Sequence, residues 1–148
     1  LLLLPLCPVY GLGVCAVLLL PEEVLSSPLL TAAAGGLTAV GVEYAASLFY
    51  QKVLTVSFWD YTGLPGSIHG RVCLPFALAW SVLLLPVVYW IQPAAAALVP
   101  AIPRPVSWAG LMALGADLTV SALLLRRTGD REQLRWYRRP SARPRAEG

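Results

Sequence analysis

The sequence predicts an all-α protein, a polytopic transmembrane helical bundle of about four spans with an amphipathic aromatic connector on the cytoplasmic side. Composition supports this class first. Hydrophobic residues make up 57% of the 148 residues and charged residues 13%, whereas soluble domains have about 25% charged residues. The apolar residues also fall into runs of about 20, the length of a membrane span, and the arginines follow the last run.

The apolar runs are each long enough to cross a hydrocarbon core of about 30 Å as a helix. They cover residues 1–20, 28–50, 72–91 and 106–125. Their apolar character is continuous instead of alternating, which favours helices over a β-barrel. In the first run, Pro5 and Pro8 place the start of regular helix near Pro8, with residues 1–7 as an interfacial entry segment. The alternative, a signal-peptide core, lacks a cationic segment before it.

Positive charge predicts the orientation of the spans. Under the positive-inside rule the arginine-rich end is cytoplasmic, and the connector over residues 51–71, with Lys52 and Arg71, is then cytoplasmic too. We expect two units, a transmembrane domain over residues 1–127 and a basic, disordered tail over residues 128–148 that contacts anionic lipid headgroups. Basic tails of this kind are a common topology signal, so no nucleic-acid partner is expected.

Two acids lie inside predicted spans, where a charge costs about 2.5 kcal/mol or more. Glu43 and Asp117 each precede a serine by four residues, Ser47 and Ser121, and each shares its helix face with glycine and alanine. Small residues let helices approach closely, so both acids should face the bundle interior, where the two helices pack together or line a shared polar cavity. Each carboxylate is either linked to a proton or substrate or held structurally by a neighbouring donor.

The connector concentrates aromatic and charged residues. Phe58, Trp59 and Tyr61 are predicted to form an interfacial aromatic motif that lays the connector against the headgroups, with ligand stacking as the alternative. Arg71 opens the third span and either snorkels to the interface or turns inward. We predict that it pairs with a carboxylate, Glu43 or Asp60.

No motif for catalysis or metal binding is present. The sequence has one histidine, and its three cysteines form no CxxC pair. It contains no Walker A loop and no nucleophile and base pair. We therefore expect no enzymatic activity, no cofactor and no metal site.

Several short motifs, none specific alone, together resemble the type IV ABC-transporter permease family of small bacterial membrane proteins. They are Cys7-Pro8-Val9-Tyr10-Gly11, Glu43-Tyr44 with Ser47, Trp59-Asp60-Tyr61, Gly70-Arg71-Val72-Cys73-Leu74, and Asp117 with Ser121. The chain departs from the family pattern at Phe58, where a second tryptophan is usual, at Thr62, where serine is usual, and at Gln51, where an acid is usual. Family members also have a helix before the Cys-Pro motif, which would give the complete protein five spans.

The resemblance implies a multi-pass protein of the bacterial plasma membrane that serves as the permease subunit of an ABC-type transporter. Its connector would dock a separate cytoplasmic ATPase, and Glu43 and Asp117 would line the path. The alternative is a non-transporting membrane scaffold or envelope assembly factor, in which the buried acids only fix helix packing.

Overall fold

Five helices joined by turns and one longer connector make up residues 7–128, the part of the chain that the computed structural model describes. The helices are α1 Pro8–Leu18, α2 Glu22–Leu25, α3 Pro28–Val53, α4 Leu74–Ala101 and α5 Arg104–Thr128. The connector comprises residues 54–73 and contains an isolated β-bridge between Ile68 and Val72. Over the described range there is no strand, so the all-α class is confirmed.

Within residues 7–128, three helices are long and apolar enough to cross a membrane. They are α3, α4 and α5, of 26, 28 and 25 residues. The predicted fourth span is not confirmed, because the helix in the first apolar run has 11 residues and is about 16 Å long at 1.5 Å per residue. Pro8 begins this helix, and Pro21, in an extended conformation, follows its end.

Two predictions fall outside the described residues. One is the interfacial entry segment, of which residues 1–6 are not described. The other is the basic tail, whose residues 129–148 are not described. Arg126 and Arg127 do lie within the structure, exposed in the last turn of α5.

Glycines allow α1, α3 and α4 to pack closely. A Cβ atom placed on Gly36 of α3 would lie only 3.1 Å from the Cα of Ser81 on α4. At the adjacent Gly35, a Cβ would lie 3.3 Å from Leu84 of α4 and 3.5 Å from Val17 of α1. Small residues at such crossings permit backbone contact that larger side chains would prevent. The largest buried apolar cluster lies here, formed by Val17, Ala39, Leu84 and Val88.

Each of the two inner spans contains a wide π turn. Residues Thr31–Gly35 form one in α3, and Val87–Ile91 form one in α4 directly after Pro86. A proline lacks the N–H that a helix needs and crowds the preceding turn, and a local change of helical geometry accommodates it. The hydroxyl oxygens of Thr31 and Tyr89, one from each turn, lie 2.9 Å apart. This contact joins the two helices at the end of the bundle remote from the connector.

The last helix, α5, buries a single stripe of residues. Asp117, Ser121 and Leu125 follow one another at intervals of four and are its buried residues. Leu125 packs with Leu54 and Val56 at the start of the connector. The carboxyl end of α5 and the connector therefore lie at the same end of the bundle.

Candidate functional site

Glu43 is held in the bundle interior by donors from two other parts of the chain. Its side chain is 8% exposed, in agreement with the small-residue face on which it lies. The Tyr61 hydroxyl donates a hydrogen bond to Oε1 at 3.0 Å, and the Trp80 indole N–H donates one to Oε2 at 3.1 Å. Hydrogen bonds to an ionised group are about twice as strong as neutral ones, so these donors stabilise the carboxylate.

Tyr61 reaches Glu43 because the connector folds back against the start of α4. The backbone N–H of Tyr61 donates to the carbonyl of Gly70 at 2.8 Å. The indole N–H of Trp59 donates to the carbonyl of Arg71 at 2.9 Å. The ring of Tyr61 also stacks on Phe76 of α4, with centroids 4.7 Å apart. Burial and the bond to Glu43 raise the pKa of the Tyr61 hydroxyl well above its usual value, so this group stays a donor at physiological pH.

Next to Glu43 lies a cavity of about 370 Å³, here called the aromatic cavity. It is enclosed by α1, α3, α4 and the connector, and five of the residues that line it are aromatic. These are Tyr10, Phe58, Trp59, Tyr61 and Trp80. Tyr10 and Trp80 are in mutual contact, with ring centroids 5.4 Å apart. The cavity therefore presents one carboxylate and several aromatic rings to whatever enters it.

The predicted role of Phe58, Trp59 and Tyr61 as an interfacial belt is not confirmed. All three line the aromatic cavity, and two of them form the hydrogen bonds that fix the connector. A tyrosine or tryptophan satisfies its polar group equally well at an interface or beside a buried acceptor. Glu43 and the carbonyl of Arg71 supply such acceptors.

Asp60 is exposed and organises the turn of the connector. Its Oδ1 accepts hydrogen bonds from the Thr62 hydroxyl at 2.6 Å and from the Thr62 backbone N–H at 2.9 Å. These two bonds, the hydroxyl first, lower the pKa of the Asp60 carboxyl below its ordinary value. Gly70, with φ at +68°, lies against this turn, and a Cβ there would be 2.6 Å from Oδ1. In this fold Asp60 thus stabilises a turn of the connector.

The predicted pairing of Arg71 with Glu43 or Asp60 is wrong. Its Nη2 donates to Oε1 of Gln51 at 2.6 Å, and its guanidinium lies over the ring of Tyr44 at 5.5 Å. Glu43 already has two donors of its own, and Asp60 is bound by Thr62. Arg71 therefore joins the end of α3 to the start of α4 through the Gln51 amide instead of through a carboxylate.

The second acid is buried on α5. Asp117, at 9% exposure, and Ser121, at 2%, are both buried, and Ser121 lines a second cavity of about 430 Å³ between α3 and α5. Ser47 is buried as well. Glu43 lines the aromatic cavity and Ser121 the second one, with Phe58 at the border of both. Both pairs of acid and serine are buried in the interior of the bundle, and neither of these two cavities is lined by both pairs.

A comparison with protein-family models identifies residues 1–122 with the family described as Putative ABC-transporter type IV. The chain belongs to this family. No curated protein and no solved structure matches it. The chain is accordingly a helical membrane protein of ABC-transporter type, and family membership alone gives no substrate.

Two residues of the site were not predicted from the sequence as site residues. Trp80 carries the second donor to Glu43, and Tyr10 forms one wall of the aromatic cavity. Trp80 did carry a signal, because an indole N–H in the middle of an apolar span needs an acceptor at membrane depth. Among the described residues, no group of three histidine, cysteine, aspartate or glutamate side chains is arranged to hold a metal ion.

Proposed function

We propose that the chain is the permease subunit of an ABC-type transporter in the plasma membrane of a bacterium, with no enzymatic activity of its own. One observation carries this proposal: a buried carboxylate, Glu43, lines a cavity between three helices and the connector. An ionisable residue inside a membrane bundle marks a substrate or ion pathway by default, because burial of an unused charge is costly. Family membership supplies the transporter class.

The connector is the proposed docking site for a separate cytoplasmic ATPase. It lies at the same end of the bundle as the carboxyl end of α5, where Arg126 and Arg127 are exposed, and the positive-inside rule assigns that end to the cytoplasm. Two apolar side chains of the connector, Leu64 and Ile68, are 41% and 54% exposed there. Exposed apolar groups on a polar turn favour contact with a protein partner.

The same connector offers a route from the ATPase to the cavity. Tyr61 is part of the connector and donates to Glu43, so a movement of the connector changes the donors around the carboxylate. The ring stack on Phe76 and the bond from Trp59 to Arg71 make the connector and the start of α4 a single packed unit. A partner that pulls on the connector therefore acts on one wall of the cavity.

The test is copurification of ATP hydrolysis with the full chain from native membranes in a mild detergent. We expect the wild-type chain to carry an ATPase activity that Ile68→Glu removes. Ile102→Glu is the matched control, because Ile102 is also about half exposed, at 46%, but lies at the other end of α4. Equal loss in both variants, or no ATPase with the wild-type chain, would contradict the proposal.

Reporter fusions after Gly63 and after Arg127 should both read cytoplasmic.

A specific observation also favours the second candidate, a membrane scaffold. Both oxygens of Glu43 accept hydrogen bonds, one from the connector and one from α4, as a purely structural acid would. The scaffold predicts that Glu43→Gln lowers the stability of the fold, and that no substrate stimulates ATP hydrolysis by the wild-type chain or by the variant. The permease predicts that a Glu43→Gln chain that still copurifies with the ATPase no longer supports substrate-dependent stimulation of hydrolysis.

A further inference from the structure

The aromatic cavity combines an acidic side chain with aromatic ring faces. Within the described part of the chain, none of its 12 lining residues is a lysine, arginine or histidine. The faces of tyrosine, tryptophan and phenylalanine rings carry partial negative charge and attract cations, most strongly in a site shielded from water. Both kinds of group in this cavity therefore favour a ligand of the same sign.

We infer that the aromatic cavity binds an organic cation of the alkylated ammonium class, with its positive centre between Glu43 and the rings of Tyr10 and Trp80. The inference names the substrate class of the permease and rests in that respect on the proposed function. The binding itself rests only on the cavity. Its volume of about 370 Å³ is within the range of about 300–1,000 Å³ typical of small-molecule sites.

The carboxylate keeps acceptor capacity for such a ligand. An ionised carboxylate has about four lone-pair sites, and the hydroxyl of Tyr61 and the indole of Trp80 occupy two of them. Because both donors hold fixed positions on packed elements, the remaining acceptor sites are presented without rearrangement. A cation that enters the cavity thus meets a preformed partner.

Other ligand classes fit the cavity less well. A metal ion is usually held by several carboxylate, imidazole or thiolate side chains, and no group of three histidine, cysteine, aspartate or glutamate residues is found among the described residues. An anion is repelled by Glu43 and finds no basic side chain in the described lining. A neutral apolar molecule would fill the space but leave the charge without a partner.

The cation could be free in solution or be the headgroup of a lipid, since both carry the same trimethylammonium chemistry. Tyr10, a wall of the cavity, is 58% exposed, so the cavity is bordered by a residue on the outer surface of the bundle. The experiment therefore uses both forms of the ligand.

The test is equilibrium binding to the full chain, purified in a maltoside detergent, followed by intrinsic tryptophan fluorescence and by calorimetry. The probes are choline, lysophosphatidylcholine, and 3,3-dimethylbutan-1-ol, which has the shape of choline but a carbon atom in place of the charged nitrogen. We expect saturable binding of choline or of lysophosphatidylcholine, and the stronger of the two identifies the source. The neutral isostere should bind at least about tenfold more weakly than choline.

Variants locate the site. Glu43→Gln should weaken binding of the cation by about tenfold or more and leave the isostere unaffected. Tyr10→Leu should lower the affinity for the cation by about tenfold, whereas Tyr10→Phe, which keeps the ring, should bind the cation as the wild type does. If Glu43→Gln fails to fold, the comparison of Tyr10→Leu with Tyr10→Phe still tests the inference. Absence of binding by both cations, equal affinity for the isostere, or indifference to the Tyr10 variants would overturn the inference.

Failure of this inference is distinguishable from failure of the proposed function. Cation binding is measured on the isolated chain, and the permease role is measured by copurified ATP hydrolysis. If an ATPase copurifies with the chain but no cation binds, the proposed ligand class is refuted and the permease role is not. Cation binding without an ATPase partner removes the permease role and leaves the binding site.

Discussion

Gly36→Ala tests whether the crossing of α3 and α4 determines the stability of the bundle. The added methyl would meet the Ser81 side chain first and then the Ser81 backbone, at 3.1 Å from Cα. The Ser81 hydroxyl can rotate away only by giving up its hydrogen bond to the carbonyl of Ala77. The backbone cannot yield unless the helices separate. Overpacking of this kind costs about 1–3 kcal/mol.

Gly41→Ala is the matched control. Gly41 lies in the same helix, and a Cβ there meets nothing within 4 Å. Both substitutions change helix propensity by the same amount, up to about 1 kcal/mol, so the difference between them isolates the crossing. We expect the free energy of unfolding, measured by titration with denaturing detergent, to be about 1–3 kcal/mol lower for Gly36→Ala than for Gly41→Ala. Equal values for the two variants would refute the packing argument.

Three further predictions concern the connector. Because hydrogen bonds from Thr62 lower the pKa of Asp60, the turn should keep its stability above the ordinary value near 3.8 and lose it as pH falls through the lowered pKa. Thr62→Val should shift that loss to higher pH in amide hydrogen exchange of the connector. Gln51→Glu should raise the free energy of unfolding by about 1 kcal/mol by converting the hydrogen bond between Arg71 and a neutral amide into an ion pair, and Arg71→Gln should abolish the gain. Gly70→Ala should lower the free energy of unfolding by at least about 1 kcal/mol, because alanine disfavours the positive φ of this position. An unchanged free energy of unfolding would show that the position is not strained by alanine.

The sequence predicted the interior position of both acids because that property is local. Three of the four residues at three and four positions from Glu43 are alanine or serine, and helix geometry alone brings them to its face. Around Asp117 in α5, the two residues four positions away are likewise an alanine and a serine. The partners of Glu43 could not be predicted in this way. Tyr61 and Trp80 are 18 and 37 residues from it in sequence, and their approach depends on how the connector folds.

The number of spans was harder to predict from apolarity than the helical class. A hydropathy pattern counts residues 1–20 as a full run, but prolines at positions 8 and 21 leave a regular helix of 11 residues between them.

The partner of Arg71 was missed for a different reason. A guanidinium can donate to an amide oxygen and lie over a ring face as well as pair with a carboxylate, so charge complementarity did not identify Gln51 or Tyr44.

The π turn at Thr31–Gly35 makes α3 tolerant of a length change that the rest of the helix would not accept. Twelve positions separate Thr31 from Glu43, and at about 100° per residue an uninterrupted α-helix would place their side chains about 120° apart. The wide turn absorbs one residue, so both side chains are buried. Deletion of one residue within the turn would leave a regular helix with the two side chains about 20° apart. Single-residue gaps between related sequences should therefore collect at this turn, because a gap closer to Glu43 would change the azimuth of the carboxylate.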